Sequence, residues 1–391
     1  MGMLSELERL VSVDAGDGIA WDRIEELLEP SGFSRMRGVP QNPVFHGEKD
    51  VMTHTRMVCE WLLGSDGFRA ASHDRRAALL LAALFHDVGK TRTTREVDGR
   101  WTSPHHAAVG SRMAREFLWR SCGMGGSDEA LRLREEACAL VRSHMLPTRL
   151  LDRPEPERLA REVAAVGELV CGFTWRELSL LSEADLRGRI AGDVEERVVG
   201  IELCRMFAEE AGCLEGPFGF ADAHTRRAYL SGKNVSPEYA LFDGTWGEVT
   251  LVCGLPGTGK DTWIERHLPG APVVSLDDVR REMGVGPQDD QGRVIQEVTE
   301  RARVYLRDRQ TFVWNATNLT VRARSRIVGL CEAYGARVRI VYLEAPWDVT
   351  LERNDARSGD ERVPVGVIER MLARFEPPLP GEADAVEWRC V

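Results

Sequence analysis

The chain has 391 residues, 43% of them hydrophobic and 29% charged, with a formal net charge of -11. This length predicts two domains and this composition a globular protein; the acidic balance excludes broad nucleic-acid binding by charge alone. No apolar run approaches the ~18 residues of a membrane span, so no membrane partner is expected. The opening M-G-M-L-S-E-L-E lacks the basic and apolar regions of a signal peptide, and Glu6 spoils an N-myristoylation signal. Nine cysteines are scattered without a CxxC pair, and reduced core thiols in a cytoplasm are expected. There is no internal repeat and no low-complexity tract.

Residues 1–45 predict two short amphipathic helices, Leu4 to Val13 and Trp21 to Leu28, the second ended by E-P-S-G. A loop from Pro40 to Thr55 then leads into a helix and carries His46 and His54. Residues 75–85, R-R-A-A-L-L-L-A-A-L-F, are apolar on nearly every side and predict a buried helix. It ends at His86-Asp87, followed by Val88-Gly89-Lys90. Two polar groups at the end of a buried helix are costly to desolvate unless compensated, and a divalent ion would do so. The earlier pair His73-Asp74 precedes the helix, where Asp74 reads as an N-terminal cap or first-turn acid. Downstream lie His105-His106, His144 and Asp185, each on or beside an apolar helical pattern. The order is H, HD, H, H, D.

These residues resemble the HD phosphohydrolase superfamily over about residues 40–190. The words Q-N-P, H-G-E, F-H-D-V-G-K and A-D-L-R-G-R are similar to the HD domain appended to bacterial tRNA nucleotidyltransferases. The resemblance implies that His54, His86, Asp87 and Asp185 ligate one metal, and that Asp87 bridges to a second held with His106 and His144. His105 competes with His106, but the H-x-x-x-G spacing to Gly110 favours His106. Imidazoles and carboxylates suit a divalent transition metal such as Mn, Ni, Co or Zn, one or two ions. Such ions acidify water and hold phosphoryl oxygens. Lys90 is expected to pair with the scissile phosphate. Arg187 and Arg189 are further candidates, with plain salt bridges as the alternative.

Residues 193–213 close the helical part. From Leu214 to Trp246 the composition turns to Gly, Pro and aromatics, and helical period is lost, which predicts a packed connecting segment. From 247 onward strands alternate with helices. The expected strands are Val249–Cys253, Pro272–Ser275, Thr311–Trp314 and Val338–Leu343; the expected helices are 260–267, 292–308, 321–334 and 364–375. That alternation implies a parallel sheet with its ligand site beyond the carboxyl ends of the strands. The first strand runs into Gly254 to Thr262, G-L-P-G-T-G-K-D-T, which has the G-x-x-x-x-G-K spacing of a phosphate-cradling loop. Gly254, Gly257, Thr258 and Gly259 would present backbone N–H groups to ATP, and Lys260 would reach its outer phosphates. Asp261 stands where a Mg²⁺-ligating Ser or Thr is usual, and Thr262 lies one residue late. A carboxylate is itself a good Mg²⁺ ligand. Residues 301–340 hold nine Arg against Asp308 and Glu332, so a basic patch or a set of solvated helix faces is expected there.

Residues 247–378 are similar to the kinase module of polynucleotide 5′-kinases. The likeness rests on G-x-P-G-x-G-K, on D-D-x-R at Asp277, Asp278 and Arg280, on T-N-L after a strand, and on an R-N-x-x-R lid followed by V-P. It implies that Asp277 is the general base for a 5′-hydroxyl, and that Arg280 grips a neighbouring phosphate. Arg353 and Arg357 would cover the triphosphate; Arg362 follows them in the lid. Leu276 departs from relatives with a basic residue there, and Asp278 reads as a cap on a helix at 279–284. Joined, the halves resemble bacterial HD-domain polynucleotide kinase-phosphatases. The organisation expected is an all-α HD phosphohydrolase domain at 1–213, a connection at 214–246, and an α/β P-loop kinase domain at 247–391. The partners implied are RNA or DNA ends, with an RNA or DNA ligase acting downstream; a homodimer is compatible with the resemblance. The alternative is an HD nucleotidase fused to a small-molecule kinase for a nucleoside or sugar.

Overall fold

The computed structural model describes residues 3–11, 19–170, 172–286 and 289–391. The chain folds as two units, one of residues 1–124 and 129–218, the other of residues 125–128 and 219–391. Among the described residues no helix is long and apolar enough to cross a membrane.

The first unit is helical. Helix Met3–Val11 covers part of the predicted Leu4–Val13, whose last two residues lie outside the described residues; Trp21–Leu28 forms as expected. Asp50 caps the helix Val51–Gly64 by accepting the Thr53 N–H at 2.8 Å, which fixes where His54 falls in the first turn. Helix His73–Phe85 buries every residue from Ala77 to Phe85, each large side chain stabilising the unit by roughly 1.5–3 kcal/mol. His73 and Asp74 are exposed at its start, Asp74 as a first-turn acid behind Ser72. Helices His106–Arg120, Asp128–Ser143 and Trp175–Arg187 deliver His106, His144 and Asp185. Thr174 caps the last of these. A small antiparallel hairpin, β1 (Arg95–Val97) and β2 (Arg100–Thr102), turns at Asp98-Gly99, both at positive φ. The D-G pair is its one sequence signal; the strands add none, because every residue of both is exposed and no apolar alternation marks them.

The second unit holds a five-stranded parallel sheet of order β4-β5-β3-β6-β7. Its strands are β3 (Glu248–Cys253), β4 (Val273–Ser275), β5 (Val313–Asn315), β6 (Arg337–Glu344) and β7 (Ala385–Cys390). The edge strand β7 and the helix Trp347–Asp355 were not expected; A-V-E-W-R-C is only half-buried and gives a weak strand pattern. The segment 214–246 also carries a helix, Ala223–Leu230, capped by Asp222. Val252, Trp263, Ile264, Val313, Val341 and Leu343 form a core cluster between sheet and helix, with β3 feeding the glycine loop from beneath. The basic stretch is largely neutralised: Arg301, Arg303, Arg324, Arg337 and Arg339 each pair with a carboxylate lying outside it. Partners beyond the counted window are invisible to a running charge count.

Candidate active sites

In the helical unit His54, His86, Asp87, His106, His144 and Asp185 converge. His54, His86 and Asp87 offer ligand atoms all within 4.8 Å of one another, and so do Asp87, His106 and His144, so the two trios share Asp87. His54 Nε2 lies 2.9 Å from Asp185 Oδ1, and His106 Nε2 lies 3.3 Å from Asp87 Oδ1. His86, His106 and His144 each donate Nδ1–H to a carbonyl three residues earlier, on Ala83, Ser103 and Val141, at 2.8, 2.9 and 2.8 Å. That contact selects the tautomer and leaves Nε2 as a lone-pair donor facing the cluster. Among the described residues, His86 Nε2 and Asp87 Oδ2 are buried without a hydrogen-bond partner. Lys90 Nζ sits 2.6 Å from Asp87 Oδ2, an ion pair that does not meet hydrogen-bond geometry. The unshared lone pair of His86 Nε2 and the Asp87 carboxylate, in one buried cleft, fit a divalent cation.

Close backbone contact makes the convergence possible. A Cβ on Gly89 would stand 2.1 Å from the His106 carbonyl and 2.6 Å from the Gly110 N, so only glycine lets the turn after Asp87 lie against the helix that carries His106. The choice between neighbouring histidines follows: His105 adopts φ 58 and is exposed, while His106 points inward. Arg187 pairs with Glu183 and Glu195. Arg189 keeps Nε and Nη2 buried without a hydrogen-bond partner among the described residues.

Glu48 was missed. It is buried, accepts from His46 Nδ1 at 2.7 Å and from the Ile190 N–H at 2.9 Å, and lies 3.1 Å from His54 Nδ1. Burial works to raise its pKa, but these donors hold the carboxyl far below the usual range. Gln41 Oε1 accepts from Lys90 at 2.7 Å. Both residues sit in the Q-N-P and H-G-E words, and the signal available was only that these polar residues precede His54. Glu48 lies behind His54 and orients it, while Gln41 holds Lys90.

Burial opposes the charge on His54, but hydrogen bonds that it donates to Asp185 and Glu48 outweigh it and raise its pKa to about 9. Burial pushes His144 down to about 4. Burial also opposes ionisation of Asp87, and Lys90 and His86 nonetheless hold it well below the usual range. Metal taken up by His54 Nε2 must displace a proton at any pH below about 9. Loading at pH 7 is therefore expected to release about one proton, and apparent metal affinity to rise as pH climbs toward 9. Calorimetric titration in two buffers of different ionisation enthalpy reads the proton count; zero release would contradict the charged His54.

In the second unit the glycine loop is shaped by its neighbours. Gly257 has φ 86, and a Cβ there would stand 2.3 Å from the Thr350 carbonyl, so the loop lies directly on the helix Trp347–Asp355. Gly254 and Gly259 also have positive φ. Thr258 is buried, its hydroxyl donating to the Leu255 carbonyl at 2.9 Å. Lys260 Nζ donates to the carbonyls of Gly254 at 3.2 Å and Leu255 at 2.9 Å. Burial lowers its pKa to about 8, Arg357 adds to the push, and Asp261 and Asp277 oppose it. Asp261 and Thr262 are both exposed, and Asp261 accepts from Asn315 Nδ2 at 2.6 Å. Arg353 Nη1 would lie 3.4 Å from a Cβ on Gly259. Asp277 ion-pairs with Arg280, which also donates to Gln291 at 2.7 Å. Arg362 pairs with Asp355. The expected cap at Asp278 is corrected: the helix begins at Leu276, Ser275 caps it by accepting the Asp278 N–H, and Asp278 pairs with Arg281. The hydroxyl wins because Ser275 stands at the extended residue before the helix.

Cluster and loop thus define a histidine–aspartate metal-type centre and a nucleotide-type centre. Residues 51–166 match the family model of the HD domain, and residues 249–378 match that of an AAA domain. The chain joins an N-terminal HD domain to a C-terminal P-loop kinase-like domain. Among solved structures it is similar to a putative kinase from Chloroflexus aurantiacus J-10-fl, at 22% identity over 37% of this chain and 89% of that one, TM-score 0.31. It is also similar to a gluconokinase from Sinorhizobium meliloti 1021, at 22% identity over 38% of this chain and 84% of that one, TM-score 0.29.

Proposed function

We propose that the chain heals broken nucleic-acid ends. The kinase-like unit moves the terminal phosphoryl group of ATP, bound with Mg²⁺, to a 5′-hydroxyl. The HD unit opens a 2′,3′-cyclic phosphate and removes the 2′- or 3′-phosphate that results. The ends are then ready for a ligase, in a cytoplasm where the eight described cysteines, none in a disulfide, stay reduced. The observation that carries the reading is the union in one chain of a phosphate-adding loop and a histidine–aspartate cluster suited to phosphate removal.

In the kinase-like unit Lys260 leaves the Gly254 and Leu255 carbonyls for the outer phosphates. Asp277, largely exposed beyond strand β4, accepts the proton of the attacking hydroxyl. The oxygen of that hydroxyl bonds to phosphorus, the bond to the ADP oxygen breaks, and Arg353 and Arg357 offset the charge of the transition state. Arg280 exchanges its partner Asp277 for the phosphate next to the acceptor sugar. In the HD unit His54, His86, Asp87, His106, His144 and Asp185 would hold Mn, Ni, Co or Zn, which acidifies water and neutralises phosphoryl oxygens. Lys90, which ion-pairs with Asp87, would turn its charge to the scissile phosphate if a cation were held by that carboxylate. Glu48 keeps His54 in register.

The deciding assay incubates a 5′-hydroxyl oligonucleotide ending in a 2′,3′-cyclic phosphate with labelled ATP and Mn²⁺, and analyses both termini. In a companion measurement, a nucleoside 3′-phosphate is expected to be phosphorylated about 100-fold faster than the bare nucleoside, measured as kcat/KM. Arg280→Ala should erase most of that difference. Equal rates in the wild type would favour the small-molecule kinase instead.

A further inference from the structure

P-loop enzymes of the usual kind hold Mg²⁺ between a hydroxyl that follows the loop lysine and a carboxylate at the end of a nearby strand. Here both positions are altered. Asp261 follows Lys260, and β5, the strand hydrogen-bonded beside β3 with Val252 level with Asn315, ends in that asparagine. The two altered residues touch, Asn315 Nδ2 donating to Asp261 Oδ1 at 2.6 Å. That contact orients the amide, because the reversed amide would set two oxygens against each other. Asn315 is 7% exposed, and its Oδ1 is buried without a hydrogen-bond partner among the described residues. An orphaned amide oxygen therefore lies beside a carboxylate whose Oδ2 is not engaged by Asn315. Of the two hydroxyls of the loop, that of Thr258 is already bound to the Leu255 carbonyl, and that of Thr262 lies one residue late and exposed.

We propose that Asp261 and Asn315 are an exchanged cation site, in which the phosphate loop supplies the carboxylate and the neighbouring strand the neutral oxygen. The exchange has a consequence that a hydroxyl after Lys260 would not bring. A fixed negative charge stands at the place where the outer phosphates settle, so nucleotide without metal is repelled. A divalent cation between them turns repulsion into attraction, and nucleotide and metal bind as a strongly coupled pair. This rests on the kinase reading only as far as nucleotide binding; it is independent of the acceptor.

The test measures the affinity of the full-length chain for a non-hydrolysable ATP analogue, with Mg²⁺ and with chelator, in the wild type, Asp261→Ser, Asn315→Asp and the double variant. Asp261→Ser removes the charge: metal-free affinity is expected to rise about tenfold and the gain from Mg²⁺ to fall to less than about threefold. Asn315→Asp adds a charge and is expected to weaken metal-free binding by a similar factor. The double variant restores one carboxylate and one neutral oxygen in the usual order, and its Mg²⁺ gain should return to within about threefold of wild type. A wild-type Mg²⁺ gain in Asp261→Ser, or a double variant no closer to wild type than its singles, overturns the exchange. Failure of the wild type to bind the analogue at all would instead refute the nucleotide site itself. Thermal unfolding of each variant reports folding, and Asp261→Asn, which keeps the side-chain shape, is expected to move in the same direction as Asp261→Ser.

Discussion

Lys260→Ala is expected to lower ATP-dependent phosphorylation by on the order of 10²–10³-fold or more, and to leave phosphate release from a 2′,3′-cyclic end unchanged. The lysine is the one group of the loop that brings a full positive charge to the outer phosphates. Its two hydrogen bonds to Gly254 and Leu255 are replaceable by water. The loop itself is shaped by glycine conformations and by the approach of the Thr350 and Leu343 carbonyls, none of which the substitution touches. Stability should therefore change by less than about 1 kcal/mol. Labelled ATP and a 5′-hydroxyl oligonucleotide measure the first activity, and release of phosphate measures the second. Loss of both would break the assignment of two separate centres.

Asp87→Ala is expected to do the converse. Asp87 belongs to both trios of the cluster, so its loss strips a ligand from each. Even partners behind the ligands typically cost 10–100-fold, so hydrolysis should fall by more than about 100-fold and bound transition metal with it. The fold will feel the change as well. Lys90, its side chain 12% exposed, loses the carboxylate 2.6 Å away and is left with Gln41, a type of loss that costs about 3–5 kcal/mol. Asp87→Asn separates the two effects, because it keeps a polar group of the same shape while removing the charge that holds the ion. Elemental analysis of the purified variants reads the metal, and both are expected to phosphorylate 5′ ends normally. Retained hydrolysis in Asp87→Asn would sink the cluster as the hydrolytic centre.

How far the two sites could be read from the chain differs for a physical reason. The phosphate loop is contiguous: strand, glycines, lysine and helix follow one another between Val249 and His267, so its geometry is local and its spacing is a signature. The histidine cluster is assembled from five stretches between His54 and Asp185, and only resemblance joined them. Gln41 and Glu48 lie inside the Q-N-P and H-G-E words, but nothing local to either tells which contact it makes. The hairpin at 95–102 shows only its D-G turn, because its strands are exposed, and β7, half-buried at the sheet edge, gives a weak pattern.

The amino-acid sequence by itself determined the order of a helical part and an α/β part, the phosphate loop, and the residue types available to each centre, because these depend on periodicity and on short spacings. Tertiary structure alone decided that Glu48 stands behind His54, that five of the nine arginines at 301–340 are paired with carboxylates from elsewhere, and that Asp261 meets Asn315; it also set His106, which the spacing to Gly110 favoured, against Asp87. Each of these is a contact with residues outside the local stretch or a single backbone torsion, and burial and charge pairing settle such contacts only once the chain has closed on itself.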